Sequence, residues 1–412
     1  MTDCRICGTE LKQTFCDLGM SPMANAYLSD AQLSQPEVHY PLHTYVCSEC
    51  LLVQLPVFES PQEIFEDYLY FSSYSQYWLD HAADYVYDAI ARFDMTENDQ
   101  VIEIASNDGY LLKNFVAMGI PALGIEPAAN VAAIAVEKGI PTTIGFFGTE
   151  LAAELVAEGV KADLLIGNNV FAHVPDLNDF VAGMAMVLAE DGHITLEFPH
   201  LYQLIRCNQF DTIYHEHFSY FTLLTAAKVL ERHGLRVFDV EELPTHGGSL
   251  RLYACHSGSQ RHELTARVGD VRLRESAAGL DTMDGHMSYA LQVAAVKQDL
   301  LEFLVHAGRR GATVVGYGAP AKGNTLLNYC GVRPDLIQYT VDRSPHKQGR
   351  YLPGTHLPIL DPDHIRQTRP DYVVILPWNL RDEIMRDMAY IHEWGGKFVV
   401  PIPALEVVGG GS

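Results

Sequence analysis

The sequence predicts an α/β protein with a doubly wound parallel sheet in the middle of the chain. Three observations lead to this fold class. Short apolar runs alternate with Ala-rich helical patterns over residues 100–200, two apolar runs near residue 250 are joined by a turn too short for a helix, and four cysteines stand in two CxxC pairs near the N-terminus. Strands that are buried on both faces and separated by helices are typical of parallel sheets.

The composition sets the number of domains and the classes of partner. The chain has 412 residues, of which 48% are apolar and 19% are charged, so we expect two or three domains with large buried cores. The formal net charge of -24 disfavours binding to nucleic acid and to anionic membrane surfaces. The sequence MTDCRICGTE lacks the features of a signal peptide, and no apolar run reaches membrane-spanning length. We therefore expect a cytoplasmic protein.

The N-terminal cysteines predict a structural zinc site. The two pairs are Cys4 with Cys7 and Cys47 with Cys50. Four thiolates in this spacing suit tetrahedral Zn²⁺, and because they fill all four positions, no position is left for a substrate or water. A redox pair is the alternative interpretation. Residues 1–60 contain seven acidic residues against only Arg5 and Lys12, so we do not expect this segment to bind nucleic acid.

Five apolar runs give the strands of the predicted parallel sheet. They are VIEIAS (101–106), ALGIEP (122–127), TTIGFF (142–147), DLLIGNN (163–169) and HITLEFP (193–199). The runs RVFDVEELP and SLRLYACH, within residues 236–256, are joined only by THGG and should therefore pair antiparallel. A parallel sheet closed by such a hairpin is the arrangement expected of S-adenosylmethionine (SAM) methyltransferases rather than of dehydrogenases.

The loops after these strands predict a pocket for SAM, because ligands bind at the carboxyl ends of the strands in such sheets. The loop EIASNDGYLL lacks the three-glycine dinucleotide pattern, but its small residues let the backbone approach a ligand. Glu126 ends the second strand, where it can accept both ribose hydroxyls of an adenosine. The predicted cofactor-binding residues are Glu103, Ala105, Asn107, Gly109, Tyr110, Leu111, Glu126, Pro127, Asn168 and Asn169.

The segment TIYHEHFSYF places four proton-handling side chains in consecutive positions. They are Tyr214, His215, Glu216 and His217, and their spacing does not match a helical metalloprotease motif. The segment follows the fifth strand, and His173 follows the fourth, so we expect both at the mouth of the pocket. There a histidine can act as a base, a carboxylate can orient it, and a tyrosine can donate to an oxyanion. Solvated surface histidines are the alternative.

A turn near residue 70 offers hydroxyl groups to a polar ligand. The candidates in YFSSY are Tyr70, Ser73 and Tyr74. Packing between domains is the alternative role for the tyrosines.

The segment RGATVVGYGAPAKGNTLLNYCGV predicts a strand, a glycine-rich loop and a helix. Its glycines around Lys322 would suit a phosphate. The candidate substrate-binding residues are Gly318, Ala319, Lys322 and Asn324. Taken alone, this loop could hold a dinucleotide with Asp342 at the ribose, but its spacing is not GxGxxG.

Together, these motifs resemble those of the three-part sugar-nucleotide C-methyltransferases, which make branched deoxysugars. The resemblance rests on CxxC…CxxC, SSYSxxW, EIASNDGYLL, GIEPAANVA, NNVFAHVPD, YHEHFSYF, HGGSLR and GYGAPAKGNTLLN, and it covers nearly the whole chain. It implies a zinc-binding domain over residues 1–65 and a SAM-dependent methyltransferase domain over residues 66–258. A C-terminal Rossmann-like domain over residues 259–408 would help to hold the sugar nucleotide.

The resemblance also implies the reaction. The catalytic residues would be His217, Tyr214, Glu216, His173 and His215, joined by either Tyr70 or Tyr74. His217, oriented by Glu216, would remove the C3 proton of a nucleoside-diphosphate 4-keto-6-deoxyhexose. Tyr214 or His173 would stabilise the enolate, and C3 would attack the methyl group of SAM. The alternatives are an NAD(P)-dependent sugar-nucleotide oxidoreductase, O- or N-methyl transfer to the same class of substrate, and a non-catalytic zinc-dependent binding module.

Overall fold

The structure is a computed structural model that describes residues 3–60, 62, 73 and 76–410. Within these residues the strands are β1 (Gln13–Ser21), β2 (Tyr40–Val46), β3 (Val53–Gln54), β4 (Val101–Ile104), β5 (Ala122–Glu126), β6 (Thr142–Ile144), β7 (Ala162–Asn168), β8 (Leu188–Pro199), β9 (Ser219–Tyr220), β10 (Leu235–Leu243), β11 (Ser249–His256), β12 (Val314–Tyr317), β13 (Thr340–Val341), β14 (Ile359–Leu360), β15 (Tyr372–Ile375), β16 (Lys397–Val400) and β17 (Glu406–Val408).

The α-helices of the same residues follow in chain order. They are α1 (Gln76–Phe93), α2 (Leu112–Ala117), α3 (Ala129–Glu137), α4 (Thr149–Ala157), α5 (Leu177–Val187), α6 (Leu201–Arg206), α7 (Leu223–Arg232), α8 (Ala266–Ala277), α9 (Met283–Met287), α10 (Tyr289–Arg309), α11 (Ala321–Cys330), α12 (His364–Thr368) and α13 (Arg381–Asp387). None of the helices in this part of the chain combines the length and the apolar sequence needed to span a bilayer.

The central sheet of the described chain has seven strands in the order β10-β11-β8-β7-β4-β5-β6. The five strands from β4 to β8 run parallel to one another, and β11 pairs antiparallel with both β8 and β10. The predicted parallel strands and the closing hairpin are confirmed. The strand order reverses beside β4, and ligands of doubly wound sheets bind at such a reversal, outside the carboxyl ends of the strands.

Helix α1 shows how the sequence covers one face of this sheet. Its buried residues Ala82, Tyr85, Val86, Ala89 and Phe93 recur at helical spacing and form one apolar stripe. They belong to a hydrophobic cluster shared with α2 and the central strands. The stripe fixes α1 along the sheet, so the polar side chains of its first turns lie near the carboxyl end of β8.

A second sheet, with the order β14-β13-β12-β15-β16-β17, lies in the C-terminal part. Its first five strands are parallel, and β17 pairs antiparallel with β16. Strand β12, the glycine-rich loop and α11 follow one another as predicted. This second Rossmann-like fold is therefore confirmed.

Contacts divide the chain into two compact units, and each unit is built from several segments. The first unit comprises the residues up to Leu11, Cys47–His200 and Phe218–Thr282; the second comprises Lys12–Val46, Leu201–His217 and the residues from Met283 onward. The CxxC pairs and the seven-stranded sheet lie in the first unit. The YHEH residues and the glycine-rich loop lie in the second. The domain bounds drawn from the sequence stay a prediction.

Candidate functional site

The four predicted zinc ligands lie together in the first unit. Their sulfur atoms all fall within 4.8 Å of one another, with separations of 3.4 Å between Cys4 and Cys50 and 3.5 Å between Cys7 and Cys47. Zn–S bonds of about 2.3 Å in a tetrahedron separate the sulfurs by about 3.8 Å, so this set fits Zn²⁺. Hydrogen bonding from Cys50 lowers the pKa of the Cys4 thiol to about 4, and the same bond, together with burial, raises the pKa of Cys50, so the two sulfurs share one proton until a metal replaces it.

Both CxxC pairs form the same turn. The Gly8 N–H donates to the Cys4 carbonyl (2.9 Å), and the Leu51 N–H donates to the Cys47 carbonyl (3.0 Å). Gly8 and Leu51 both have positive φ, +75° and +69°. The left-handed conformation costs roughly 1–2 kcal/mol at Leu51, which is not a glycine. The two turns therefore hold a geometry that binding of a common metal ion would stabilise.

Buried acceptors gather at the carboxyl ends of β4 and β7. Within the described residues, Glu103 Oε2, Asn168 Oδ1 and Asn169 Oδ1 have no hydrogen-bond partner. Burial, with the nearby Glu126 and Asp108 carboxylates, raises the pKa of Glu103 well above its ordinary value. Buried acceptors without donors indicate a ligand that brings N–H groups or positive charge. The ammonium and sulfonium groups of SAM have this character.

Glu126 is fixed at the end of β5 by backbone donors. Its Oε2 accepts the N–H of Asn107 and its Oε1 accepts the N–H of Ala128, both at 2.9 Å. Burial raises the pKa of Glu126, and these two bonds partly oppose the rise. Each carboxylate oxygen has a further lone pair for a ribose hydroxyl. The carboxylate is thus oriented by the protein itself.

The loop after β4 has an unusual backbone. Ala105, Asn107 and Gly109 have φ of +57°, +51° and +74°. A Cβ at Gly109 would clash with the Ile140 side chain, so this glycine serves the packing of the loop in addition to its backbone conformation. The other predicted residues of these loops are Tyr110 and Leu111, which are buried, and Pro127, which is half-buried.

An ionic cluster that the sequence analysis missed lies at the same edge of the sheet. Glu197, in β8 opposite Asn168 of β7, is fully buried. Its carboxylate lies 3.0 Å from His81 Nε2 and accepts from Arg251 Nη2 (2.7 Å) and Thr245 Oγ1 (3.0 Å). Burial raises the pKa of Glu197, but His81 and Arg251 bring it to about 2. A charged residue inside the apolar run HITLEFP was the signal for this cluster.

The structure describes His173 and Ser73 but not the two candidate tyrosines of the turn near residue 70. His173 ends a 3₁₀ turn, Phe171–His173, that follows β7, and it is half-buried. Ser73 is also half-buried. Tyr70 and Tyr74 lie outside the described residues, so the choice between them stays open.

In the second unit, a hydrogen bond to a backbone carbonyl orients the His217 ring so that it can act as a base. Its Nδ1 lies 2.8 Å from the Thr212 carbonyl oxygen. Because a carbonyl can only accept, Nδ1 carries the proton and Nε2 holds the basic lone pair. The Tyr214 ring stacks at a tilt, with its centroid 4.0 Å from that of His217. The orienting acceptor at Nδ1 is therefore a backbone carbonyl rather than the predicted Glu216 carboxylate.

The two remaining residues of the YHEH segment are buried. Glu216 accepts from Asn25 Nδ2 at 2.7 Å, and burial raises its pKa to about 7. Burial lowers the pKa of His215 to about 4, and its ring packs edge-on against Tyr40. His215 is therefore neutral near pH 7 and has the surroundings of a packing residue.

The raised pKa of Glu216 predicts a stability change with pH. The unfolded chain, with an ordinary pKa of 4.5, releases this proton before the folded chain does, so the carboxyl lowers stability as pH rises from about 4.5 through 7. The cost above pH 7 is roughly 3 kcal/mol. We expect Glu216→Gln, which keeps an acceptor for Asn25, to stabilise the protein by roughly 2 kcal/mol more at pH 8 than at pH 5.

Urea unfolding at the two pH values measures this difference. The exposed Glu393, also in the second unit, provides the control: Glu393→Gln should give the same small change at both pH values. An equal effect of Glu216→Gln at pH 5 and pH 8 would contradict the burial of an uncharged carboxyl.

One short segment joins the YHEH residues to the glycine-rich loop inside the second unit. The segment is ANAY, residues 24–27, and the side chain of Asn25 donates a hydrogen bond to the Glu216 carboxylate. The Tyr27 hydroxyl donates to the Ala319 carbonyl (2.6 Å), and Asn324 Nδ2 donates to the Ala24 carbonyl (2.6 Å). The structure thus brings together predicted catalytic and predicted substrate-binding residues that are far apart in the chain.

The glycines of this loop face protein atoms. A Cβ at Gly318, where φ is +87°, would lie 2.6 Å from Pro377, and one at Gly316 would lie 2.8 Å from Thr340. Asp342 Oδ2 accepts the backbone N–H of Ala319, in the loop, at 2.7 Å. These glycines therefore serve packing within the protein. This disfavours the dinucleotide alternative, which needs them for close approach to a pyrophosphate.

Lys322 is held beside the residues that precede the YHEH segment. Its Nζ donates to Asn379 Oδ1 (2.7 Å) and lies 4.7 Å from the centre of the Trp378 ring. Trp378 Nε1 donates to Asp211 Oδ2 (2.7 Å). Burial raises the pKa of Asp211 to about 7, although Lys322 opposes the rise. The half-buried ammonium is thus the cationic group of this loop.

Comparisons with known proteins give three family matches along the chain. A zinc-binding domain profile matches residues 4–65, a methyltransferase domain profile matches residues 77–240, and a C-methyltransferase C-terminal domain profile matches residues 244–403. The chain is also 34% identical over 406 residues to the C-methyltransferase NovU of Streptomyces niveus. That alignment covers 98% of this chain and 96% of NovU.

Solved structures give weaker likenesses. A SAM-dependent methyltransferase from Clostridium acetobutylicum ATCC 824 is 10% identical, with a TM-score of 0.35, over 44% of this chain and 92% of that one. Magnesium protoporphyrin IX methyltransferase (ChlM) from Synechocystis PCC 6803, with bound SAM, is 16% identical, with a TM-score of 0.34, over 48% of this chain and 89% of that one. These TM-scores lie below 0.5, and the fold assignment rests on strand order and on the family matches.

Proposed function

Because the chain belongs to the family of SAM-dependent C-methyltransferases with an N-terminal zinc-binding domain, we propose that it methylates C3 of a nucleoside-diphosphate 4-keto-6-deoxyhexose, in branched-chain deoxysugar biosynthesis. One observation carries the choice of substrate. Within the second unit, hydrogen bonds join the residue beside the candidate base to the glycine-rich loop: Asn25 donates to Glu216, and Tyr27 of the same ANAY segment donates to the Ala319 carbonyl of the loop that carries Lys322. A base and a nearby cation suit a substrate that must lose a proton from carbon and that also carries an anionic group.

Residues of the first unit would hold SAM. When bound, SAM supplies an electrophilic methyl group. The buried acceptors Glu103, Asn168 and Asn169 suit its ammonium and sulfonium groups, and Glu126 suits its ribose hydroxyls. The zinc held by the cysteine cluster has no open position, so its contribution is to folding.

Carbon methylation explains the need for a base. A C–H bond offers no lone pair, so a carbon nucleophile must first lose a proton. The C4 ketone acidifies the C3 hydrogen, and His217 Nε2 provides the lone pair that removes it. Tyr214, beside His217, and His173 are the proposed donors to the enolate oxygen. Glu216, with a pKa near 7, would exchange a proton at low cost at neutral pH.

The substrate proposal is tested with ¹³C-methyl SAM and a panel of sugar nucleotides. The panel contains the 4-keto-6-deoxyhexoses of thymidine, guanosine and cytidine diphosphate, each paired with its 4-hydroxy analogue. Mass spectrometry should show the gain of one labelled methyl group on a 4-keto sugar and none on its 4-hydroxy partner. Equal labelling of both partners would indicate O-methylation, and turnover with NAD(P)H would indicate the oxidoreductase alternative. Either result would overturn the proposal.

A further inference from the structure

Arg5 lies inside the first CxxC turn and reaches away from it. Its guanidinium donates to three backbone carbonyls: Nε to Pro175 (3.0 Å), Nη1 to Phe218 (2.9 Å) and Nη2 to Leu55 (2.5 Å). All of these residues belong to the first unit. The planar fork of arginine suits such a bridge, whereas a lysine ammonium cannot hold the same three directions.

Two of the three carbonyls flank candidate catalytic residues. Pro175 lies two positions after His173, and Phe218 directly follows His217. A backbone hydrogen bond joins these two segments directly, because the Phe218 N–H donates to the Ala172 carbonyl at 2.8 Å. Arg5 therefore holds the ends of two segments that the sequence analysis singled out for proton transfer.

The main chain of Arg5 is fixed from the metal side. Its neighbours Cys4 and Cys7 are ligands of the cysteine cluster. Its N–H donates to Gln54 Oε1 (3.0 Å), and Gln54 Nε2 donates to the Cys4 sulfur (3.3 Å). Its carbonyl accepts from Asn178 Nδ2 at 2.7 Å. The direction in which the guanidinium points is thus set by the geometry of the cysteine turn.

We infer that Arg5 is a positioning residue, which transmits the shape of the zinc-bound turn to the His173 loop and to the backbone that follows His217. The catalytic part of this inference rests on the proposed function, and the structural part does not. The zinc cluster then has a second role beyond folding: it sets the placement of proton-transfer groups that lie outside the zinc-binding segment.

The test compares Arg5→Met and Arg5→Lys with wild-type protein. Arg236 supplies the matched control. Its Nη2 also donates to two backbone carbonyls of the first unit, those of Ser259 (2.9 Å) and His262 (2.6 Å). Arg236 lies at the start of the edge strand β10 and makes none of the contacts of Arg5. Each variant is first checked for bound zinc and for SAM affinity. Both should equal the wild-type values.

Hydrogen exchange without substrate gives the structural readout. We expect Arg5→Met to speed amide exchange about tenfold in peptides covering residues 170–176 and 216–220, the change expected from losing one hydrogen bond to a charged donor. Arg5→Lys, which keeps a donor but not the fork, should give a smaller increase. Arg236→Met should leave both peptides unchanged. Unchanged exchange in Arg5→Met, or an equal increase over the whole first unit, would overturn the positioning role.

Kinetics give the catalytic readout. With zinc and SAM binding retained, misplacement of the acid–base groups should lower kcat by about a hundredfold with little change in KM. A purely structural residue would leave kcat per folded molecule unchanged, and that result would overturn the inference. Failure of the proposed function is recognised separately, because wild-type protein would then be inactive on every 4-keto sugar while the exchange experiment would still report on Arg5.

Discussion

Substitution of His217 by alanine is expected to lower the rate of methyl transfer by about 10³-fold and to leave SAM binding unchanged. The expectation follows from the hydrogen bond at Nδ1, which leaves Nε2 as the basic atom, and from the Tyr214 ring that packs against the imidazole. The residues proposed to hold SAM belong to the first unit, whereas His217 belongs to the second. Loss of the base should therefore spare the cofactor site.

Single-turnover kinetics and calorimetric titration with SAM measure the two quantities separately. His306, an exposed histidine of α10 in the second unit, provides the control, and His306→Ala should preserve both. Simultaneous loss of turnover and SAM binding in His217→Ala would assign His217 to the structure. Full activity of the variant would place the base elsewhere.

Replacement of Cys4 by serine is expected to release zinc and to cause the largest loss of stability of any substitution considered. Cys4 is buried in the four-sulfur cluster, and structural zinc sites contribute roughly 10–16 kcal/mol to the folding of small zinc-finger peptides. The first unit should lose its cooperative unfolding transition, because the N-terminal turn also holds residues 55, 175 and 218 through Arg5.

Metal analysis and differential scanning calorimetry test this expectation. Cys207, a half-buried cysteine outside the cluster, is the control, since Cys207→Ser should retain zinc and melt like the wild type. One zinc per chain in both variants would contradict the assignment of the cluster. A melting curve of Cys4→Ser that overlays the wild-type curve would show that the metal does not support the fold.

The sequence predicted the features that depend on local pattern. Runs such as DLLIGNN are apolar on both faces and read as central parallel strands, and the four-residue connection THGG forced β10 and β11 into a hairpin. The cysteine spacing predicted a cluster because two short turns around one metal need only local sequence. Resemblance to a known family then supplied the order of domains and the reaction.

The contacts that define the site could not be predicted, because they join residues far apart in the chain. Asn25 and Glu216 are separated by 191 positions, and His81 and Glu197 by 116. The orienting partner of His217 is a backbone carbonyl, which leaves no mark on the sequence. The glycine patterns were ambiguous for a related reason. A glycine can make room for a ligand or for a neighbouring side chain, and the sequence does not distinguish the two. Beside Gly318 the space is filled by Pro377.

The central claim is that the new bond forms on carbon. The most direct measurement is heteronuclear NMR of the product made with ¹³C-methyl SAM from a 4-keto sugar also labelled with ¹³C at C3. The account predicts one-bond carbon–carbon coupling between the methyl group and C3, together with loss of the original C3 proton. A methyl carbon without that coupling, bonded to oxygen or nitrogen while the C3 proton is retained, would contradict it.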